Sequence, residues 1–387
     1  MLRSLTNVPR DYAWGSPSLL AELEGRTPTG APEAEVWFGD HPGDPADLAD
    51  GGTLDTVTGG TLPYLLKLLA AARPLSIQVH PTREQAQDGW ARESALPLDD
   101  PRRNYRDANH KPELIVALSD RFESLSGLRP IADTLRLLEA LEDGPGVRAL
   151  RERLSGDGDP LGDAIGWLLG GGAQEEVAEI IGAVAAAGAA GEEFPALRAV
   201  AAIAESSPGD PGVVVALLMN HLVLRRGEGV FLRAGLLHAY LSGLGVEIMA
   251  ASDNVLRGGL TPKRIDVPEL LAVLDTTPGE VPVLRPAGDE AVTTYPVPVP
   301  DFALRRVRID DTAVTLDVSG PTMVLATAGS VRVTAESGAE VSVPIGTVAF
   351  ADADERSLTL SGAGEVFVAT PAAEGSSAGA RHAGGSS

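Results

Sequence analysis

Six histidines and no cysteine leave imidazole, carboxylate and amide oxygen as the metal donors this chain can offer. Several of these donors fall where strands would aim them together. In Leu75-Ser76-Ile77-Gln78-Val79-His80-Pro81 apolar and polar residues alternate and a proline closes the run, the pattern of a half-buried strand. Gln78 and His80 then share one face. Lys111 and Glu113 share a face if extended, and Pro112 favours extension at Lys111. His238 follows a glycine turn at Gly235. Two imidazoles, one carboxylate and one amide oxygen carry a single negative charge, so a bound Zn²⁺ would stay a Lewis acid with room for water or substrate. Each residue also has a plainer reading. A strand Gln-x-His is commonly a solvated face, and separations of about 30 and about 125 residues fit no short metal motif.

The cations add a second signal. Of 31 basic residues three are lysine, Lys67, Lys111 and Lys263, and the other 28 are arginine. Each lysine lies in a segment that also carries candidate metal-site or anion-site residues. A lysine kept in so arginine-rich a chain suggests a compact ammonium that a guanidinium fork cannot replace.

The formal net charge of −23 argues against a nucleic-acid or membrane surface, which needs an extended positive footprint. A small anionic ligand stays compatible, because screening over roughly 8 Å lets a local basic cluster dominate its own pocket. The N-terminal segment has no apolar core of a signal peptide, and the apolar run 180–190 is too short to span a bilayer, so the expected location is cytoplasmic. The oligomeric state stays open; a monomer is compatible.

The elements that must hold these residues read as mainly β with an α-helical insertion. Residues 1–129 and 226–275 are expected to form one discontinuous metal-binding barrel, with 62–69 a buried strand. Residues 130–225 switch to a helical period, as in Ile131, Leu135, Leu138 and Leu141, and in Val177, Ile180, Ile181 and Val184. Asp210 and Pro211 predict the start of a last helix running toward Leu224 and carrying His221 as a satisfied or exposed histidine. Residues 276–370 are expected to form a second β barrel, and 371–387, rich in Ala, Gly and Ser, a disordered tail. Residues 230–238 line up with 341–349 as strand, glycine turn and strand, like one hairpin of a jelly roll. Ala349 stands where His238 does, and no histidine lies between 239 and 381, so the second barrel holds no histidine-based metal.

Several segments resemble the type I phosphomannose isomerases: Tyr12-Ala13-Trp14-Gly15-Ser16, Glu35-Val36-Trp37-Phe38-Gly39-Asp40-His41-Pro42, residues 75–81, 109–113 and 122–130, and Gly227 to Lys263. They run in order over about two thirds of the chain; His238-Ala239-Tyr240-Leu241-Ser242-Gly243, Glu247 and 252–263 are the most specific. The resemblance implies two cupin-like jelly-roll barrels, a metal-bearing N-terminal one and a metal-free C-terminal one, plus a helical lobe. It implies one Zn²⁺ per chain held by Gln78, His80, Glu113 and His238, with Arg257 and Glu247 catalytic. Ser76, Lys67, Lys111 and Lys263 match positions that hold the substrate's phosphate or sugar. Ser126 and Ile248 depart from the family, where cysteine is frequent, and neither is a ligand position. His41 and His110 are expected to be structural.

The implied reaction interconverts mannose 6-phosphate and fructose 6-phosphate through a zinc-stabilised enediol(ate), with proton transfer between C1 and C2. Glu247 is the favoured base and Lys111 its rival, since an ammonium beside a metal and Arg257 can lose its proton more readily. Two other readings stay open. Two histidines and a carboxylate also suit Fe(II) in an oxygenase, and a sugar-phosphate-binding regulator could keep the site without turnover.

Overall fold

The computed structural model describes residues 1–190, 194–286 and 290–372; most of the expected tail lies outside these. Among the described residues the fold is mostly β, with two antiparallel sheets of nine and ten strands and ten helices.

The ten-stranded sheet is organised by its longest strand, His238–Ala250. Toward its C-terminal end this strand lies between Tyr64–Ala71 and Glu113–Ala117, and near its start it meets Ile77–Val79 and Phe122–Leu128. All eight residues of Tyr64–Ala71 are buried, as their near-continuous apolar character requires of a strand covered on both faces. Alternate residues face different cores. Leu66, Leu68, Leu114, Val116, Val246 and Ile248 pack outward against Leu304, Met323, Leu325, Phe350 and Phe367 of the nine-stranded sheet. Leu69, Ile115, Leu232 and Tyr240 pack inward. The helices Ile131–Glu139 to Gly212–Leu217 cover the remaining side, against Ile77, Val79, Leu125, Leu237 and Leu256.

The structure changes three expectations. Leu2–Thr6 pairs with Val348–Ala351, so the chain's first strand completes the C-terminal sheet rather than the metal-bearing one. Its Leu5 is fully buried between the two sheets, which supplies the driving force. The helix expected to run from Asp210 toward Leu224 stops at Leu217, and Met219–Leu224 is a strand paired with Phe122–Leu128. His221 therefore lies on a strand, with Nε2 2.8 Å from Glu123 Oε2. The 230–238 and 341–349 segments do share a glycine turn, with Gly235 at φ 78° and Gly346 at φ 81°. Neither is a hairpin, however: Gly229–Leu232 pairs with Glu113–Ala117 and Val283–Leu284, and Glu340–Val343 with Thr322–Ala335, so each turn carries the chain from one strand neighbour to another.

Replacing Leu5 by alanine should leave a cavity between the sheets and destabilise the protein by about 2–5 kcal/mol, measured by urea unfolding. A loss of only a few tenths would mean that the first strand is not part of the shared core.

Candidate metal centre and substrate cavity

Three cross-strand relationships assemble the site. Glu247 stands opposite both Lys67 and Ile115, and Lys67 opposite Trp37, which makes one row across four strands. Gln78 stands opposite both His238 and Arg257. Glu113 lies two residues before Ile115 and so projects to the same side. Strict alternation would put His238 and Tyr240 on the opposite face from Glu247. A register shift between Tyr240 and Ser242 changes the parity, and the Tyr240 hydroxyl donates to Glu247 Oε1 at 2.8 Å.

His80, Glu113 and His238 are all buried, and each offers a donor atom within 4.8 Å of the others. The donor set fits a metal in its details. His80 Nδ1 lies 2.7 Å from the Asn254 carbonyl and His238 Nδ1 2.9 Å from that of Leu236, so each Nδ1 carries the proton and each Nε2 keeps its lone pair. Nε2 of His80 is a buried polar atom without a hydrogen-bond partner. It lies 3.1 Å from Glu113 Oε1, but with the proton on Nδ1 both atoms are acceptors and no hydrogen bond joins them. Burial, aided by the field of Lys111 and opposed by that of Glu113, pushes the His80 pKa down to about 4, so the imidazole is neutral as a ligand must be. Gln78 donates its amide N–H to Ser76 Oγ at 3.1 Å, which leaves its carbonyl oxygen as the available donor.

Burial opposes ionisation of Glu113, but the adjacent Lys111 charge outweighs it and holds the carboxyl well below its usual range. Lys111 Nζ is 3.0 Å from Glu113 Oε1. Lys67 is enclosed as well: its Nζ lies 3.2 Å from Glu247 Oε2, 3.6 Å from Glu35 Oε1 and 5.1 Å from the Trp37 ring centroid. Burial works against its charge, yet Glu35 and Glu247 hold the ammonium protonated above its ordinary range. For Glu247, burial together with the Glu113 and Glu35 charges prevails over Lys67 and pushes the carboxyl up.

A cavity of about 390 Å³ joins these residues to Ser76, Gln78, Arg257, Thr261 and Lys263. Its outer end is cationic in another way. The Arg257 and Lys263 side chains have no carboxylate partner among the described residues, and the same holds for Arg106 nearby. Burial and the field of Arg106 push the Arg257 pKa down; the charge of Arg257, then burial, lowers that of Lys263. Like charges gathered without a counterion make an anion site.

All ten residues singled out in the sequence converge here: nine line the cavity and His80 completes the metal group. Sequence reasoning gave no role to Tyr240, Glu35, Arg106 or Asn254. The Glu35-x-Trp37 alternation was a usable signal, since it puts both on one face; the others depend on pairings that no local pattern reveals. His41 and His110 lie outside the group, against Asp253 at 3.0 Å and Asp301 at 2.8 Å.

Fold and site together define a mostly β protein with a buried two-histidine, one-carboxylate metal centre opening onto a cationic pocket. Residues 2–131 match the family model for the phosphomannose isomerase type I catalytic domain. The chain is 34% identical to mannose-6-phosphate isomerase of Escherichia coli over 390 residues, covering 94% of this chain and 98% of that one. It is 30% identical to the human mannose-6-phosphate isomerase, covering 79% and 81%. It superposes with a TM-score of 0.87 on the zinc-bound holo form of a solved mannose 6-phosphate isomerase, 31% identical, over 96% of this chain and 100% of that one. The apo form from Salmonella typhimurium matches with the same score and identity, over 96% and 99%. The chain belongs to the mannose-6-phosphate isomerase family, whose members are aldose–ketose isomerases. Among the described residues no helix is long and apolar enough to cross a membrane.

The folded-state pKa of His80 lies below the unfolded value of 6.5. The unfolded chain therefore binds the extra proton, and the stability linked to neutral His80 is complete above about pH 6.5 and lost toward pH 4. In metal-free protein, urea unfolding of wild type minus His80→Asn should change by about 3 kcal/mol across that window. A pH-independent difference would show that His80 is not held neutral by burial.

Proposed function

We propose that the protein interconverts mannose 6-phosphate and fructose 6-phosphate, with one Zn²⁺ held by His80, Glu113, His238 and Gln78. The observation that carries this reading is the meeting, in one cavity, of a buried metal-ligand set with free Nε2 lone pairs and cations that lack counterions. Zinc bound there would polarise the sugar oxygens at C1 and C2 and stabilise negative charge on them.

The chain's own residues do the rest. Lys263 and Arg257, with Ser76 just before the facing strand Ile77–Val79, receive the phosphate; Arg257 also stands opposite Gln78 and so reaches toward the sugar. Fixing the phosphate orients C1 and C2 at the metal end of the cavity. Converting the aldose to the ketose removes a proton from C2, returns one to C1 and moves a hydroxyl proton from O2 to O1, through an enediol. Glu247 is the base: burial and neighbouring carboxylates raise its proton affinity, while the Tyr240 hydroxyl fixes its orientation. Lys67 offsets the charge of Glu35 and Glu247 rather than gripping phosphate, because both carboxylates already engage it. Lys111 stays against Glu113 and stands beside the reacting carbons as the rival proton carrier. Two cupin-like barrels flanked by a helical insertion agree with the enclosed inner core and the outward-packed second sheet.

Production of fructose 6-phosphate from mannose 6-phosphate should stop on chelation and return with zinc. Glu113→Ala should lose zinc and turnover together. Glu247→Gln should lower kcat by about a hundred- to ten-thousand-fold while keeping the metal, and Lys263→Ala should act chiefly on KM. Full turnover in metal-free Glu113→Ala protein would sink the assignment, and oxygen consumption would favour an iron oxygenase.

A further inference from the structure

The helical lobe reaches the substrate cavity through one carboxylate. Asp210, in the turn before Gly212–Leu217, accepts the N–H of Gly212 at 2.7 Å and of Leu260 at 3.0 Å on Oδ1, and the N–H of Thr261 at 3.0 Å on Oδ2. Leu260, Thr261, Pro262 and Lys263 form a wall of the cavity. A second groove of about 470 Å³ shares Leu260, Thr261 and Pro262 with that wall and is also lined by Asp210, Arg73 and Ser206. Asp210 holds this wall through the wall's backbone and does not itself line the substrate cavity.

Two features show that the position is enforced. A Cβ on Gly259 would lie 2.3 Å from the Gly212 Cα, and one on Gly212 would lie 2.5 Å from the Leu260 nitrogen, so the two backbones pass in direct contact. Leu260 has φ 54°, one of two non-glycine residues in the left-handed region among the described residues. A leucine adopts that conformation only where its surroundings impose it. The constraint passes onward, because the Lys263 N–H donates to Thr261 Oγ1 at 3.2 Å.

We propose that Asp210 is a positioning residue for substrate binding: by fixing Leu260 and Thr261 it sets Lys263 at the phosphate end, and this is how the helical lobe serves the site. The proposal rests on the isomerase reading above. It assigns no contact between Asp210 and substrate. Three backbone N–H groups, those of Gly212, Leu260 and Thr261, lose their acceptor when the carboxylate is removed, and the strained leucine is then free to relax to negative φ, carrying the lysine away.

The test uses full-length zinc-loaded protein, with wild type, Asp210→Ala and Asp210→Asn compared for kcat, KM, inhibition by inorganic phosphate, bound zinc and melting temperature. In Asp210→Ala, KM and the phosphate inhibition constant should both rise roughly tenfold, with kcat within about twofold and zinc retained. Asp210→Asn keeps one acceptor oxygen and should fall between. A folded alanine variant with wild-type KM and phosphate inhibition overturns the proposal, as does a parallel loss of zinc and kcat, which would mark a general scaffold role. If the alanine variant does not fold, wild-type KM in Asp210→Asn overturns it. Wild-type protein that neither isomerises mannose 6-phosphate nor responds to phosphate overturns the functional reading instead.

Discussion

The Glu113 carboxylate is 4% exposed, with Lys111 Nζ at 3.0 Å, His80 Nε2 at 3.1 Å and His238 Nε2 at 3.4 Å. A buried carboxylate without partners would be strongly destabilising or would take up a proton. Here two imidazoles already carry their protons on Nδ1, so they cannot donate to it from Nε2; only Lys111 can. The arrangement leaves a carboxylate and two lone pairs facing a common space, a combination that a divalent cation satisfies. Much of the sheet around it follows from that requirement: the strands of Gln78, Glu113 and His238 must meet at one point, with Asn254 and Leu236 lending backbone carbonyls to fix the rings.

A second balance surrounds the first. Lys67 sits between Glu35 and Glu247, and Lys111 against Glu113, so the inner half of the cavity is filled with paired charge. Arg257 and Lys263 at the outer half have no such partners. A chain of net charge −23 thus keeps a locally positive mouth by withholding carboxylates from one place. On the proposed reading, charge separation along the cavity would give a phosphorylated sugar one orientation, phosphate outward and reacting carbons inward.

Much of this was legible from residue order. The alternation in 75–81 exposed the Gln78 and His80 pair, and the apolar run at 62–69 announced a buried strand, which the structure places at Tyr64–Ala71. What stayed hidden depends on partners far along the chain. The parity change at Tyr240–Ser242 brings Glu247 to the same side as His238, and no two-residue period predicts it. Met219–Leu224 directly follows a helix and is as apolar as a further turn of it would be, so only pairing with Phe122–Leu128 distinguishes it as a strand. Leu2–Thr6 joins a sheet whose other strands begin almost three hundred residues later, apart from the short Asp47–Leu48. The lysines shared a cavity as their scarcity suggested, but their neighbours divide them: two neutralise buried carboxylates, and Lys263 alone is free for an anion.

The most direct measurement is zinc-edge X-ray absorption on the zinc-loaded protein and on His80→Asn and His238→Asn. The expected spectrum has two imidazole nitrogens at about 2.0–2.1 Å, the remaining donors oxygen at similar distance, and no sulfur. Each substitution should remove one imidazole from the shell. A spectrum with no imidazole scattering, or one unchanged by both substitutions, would place the metal elsewhere and contradict the centre described.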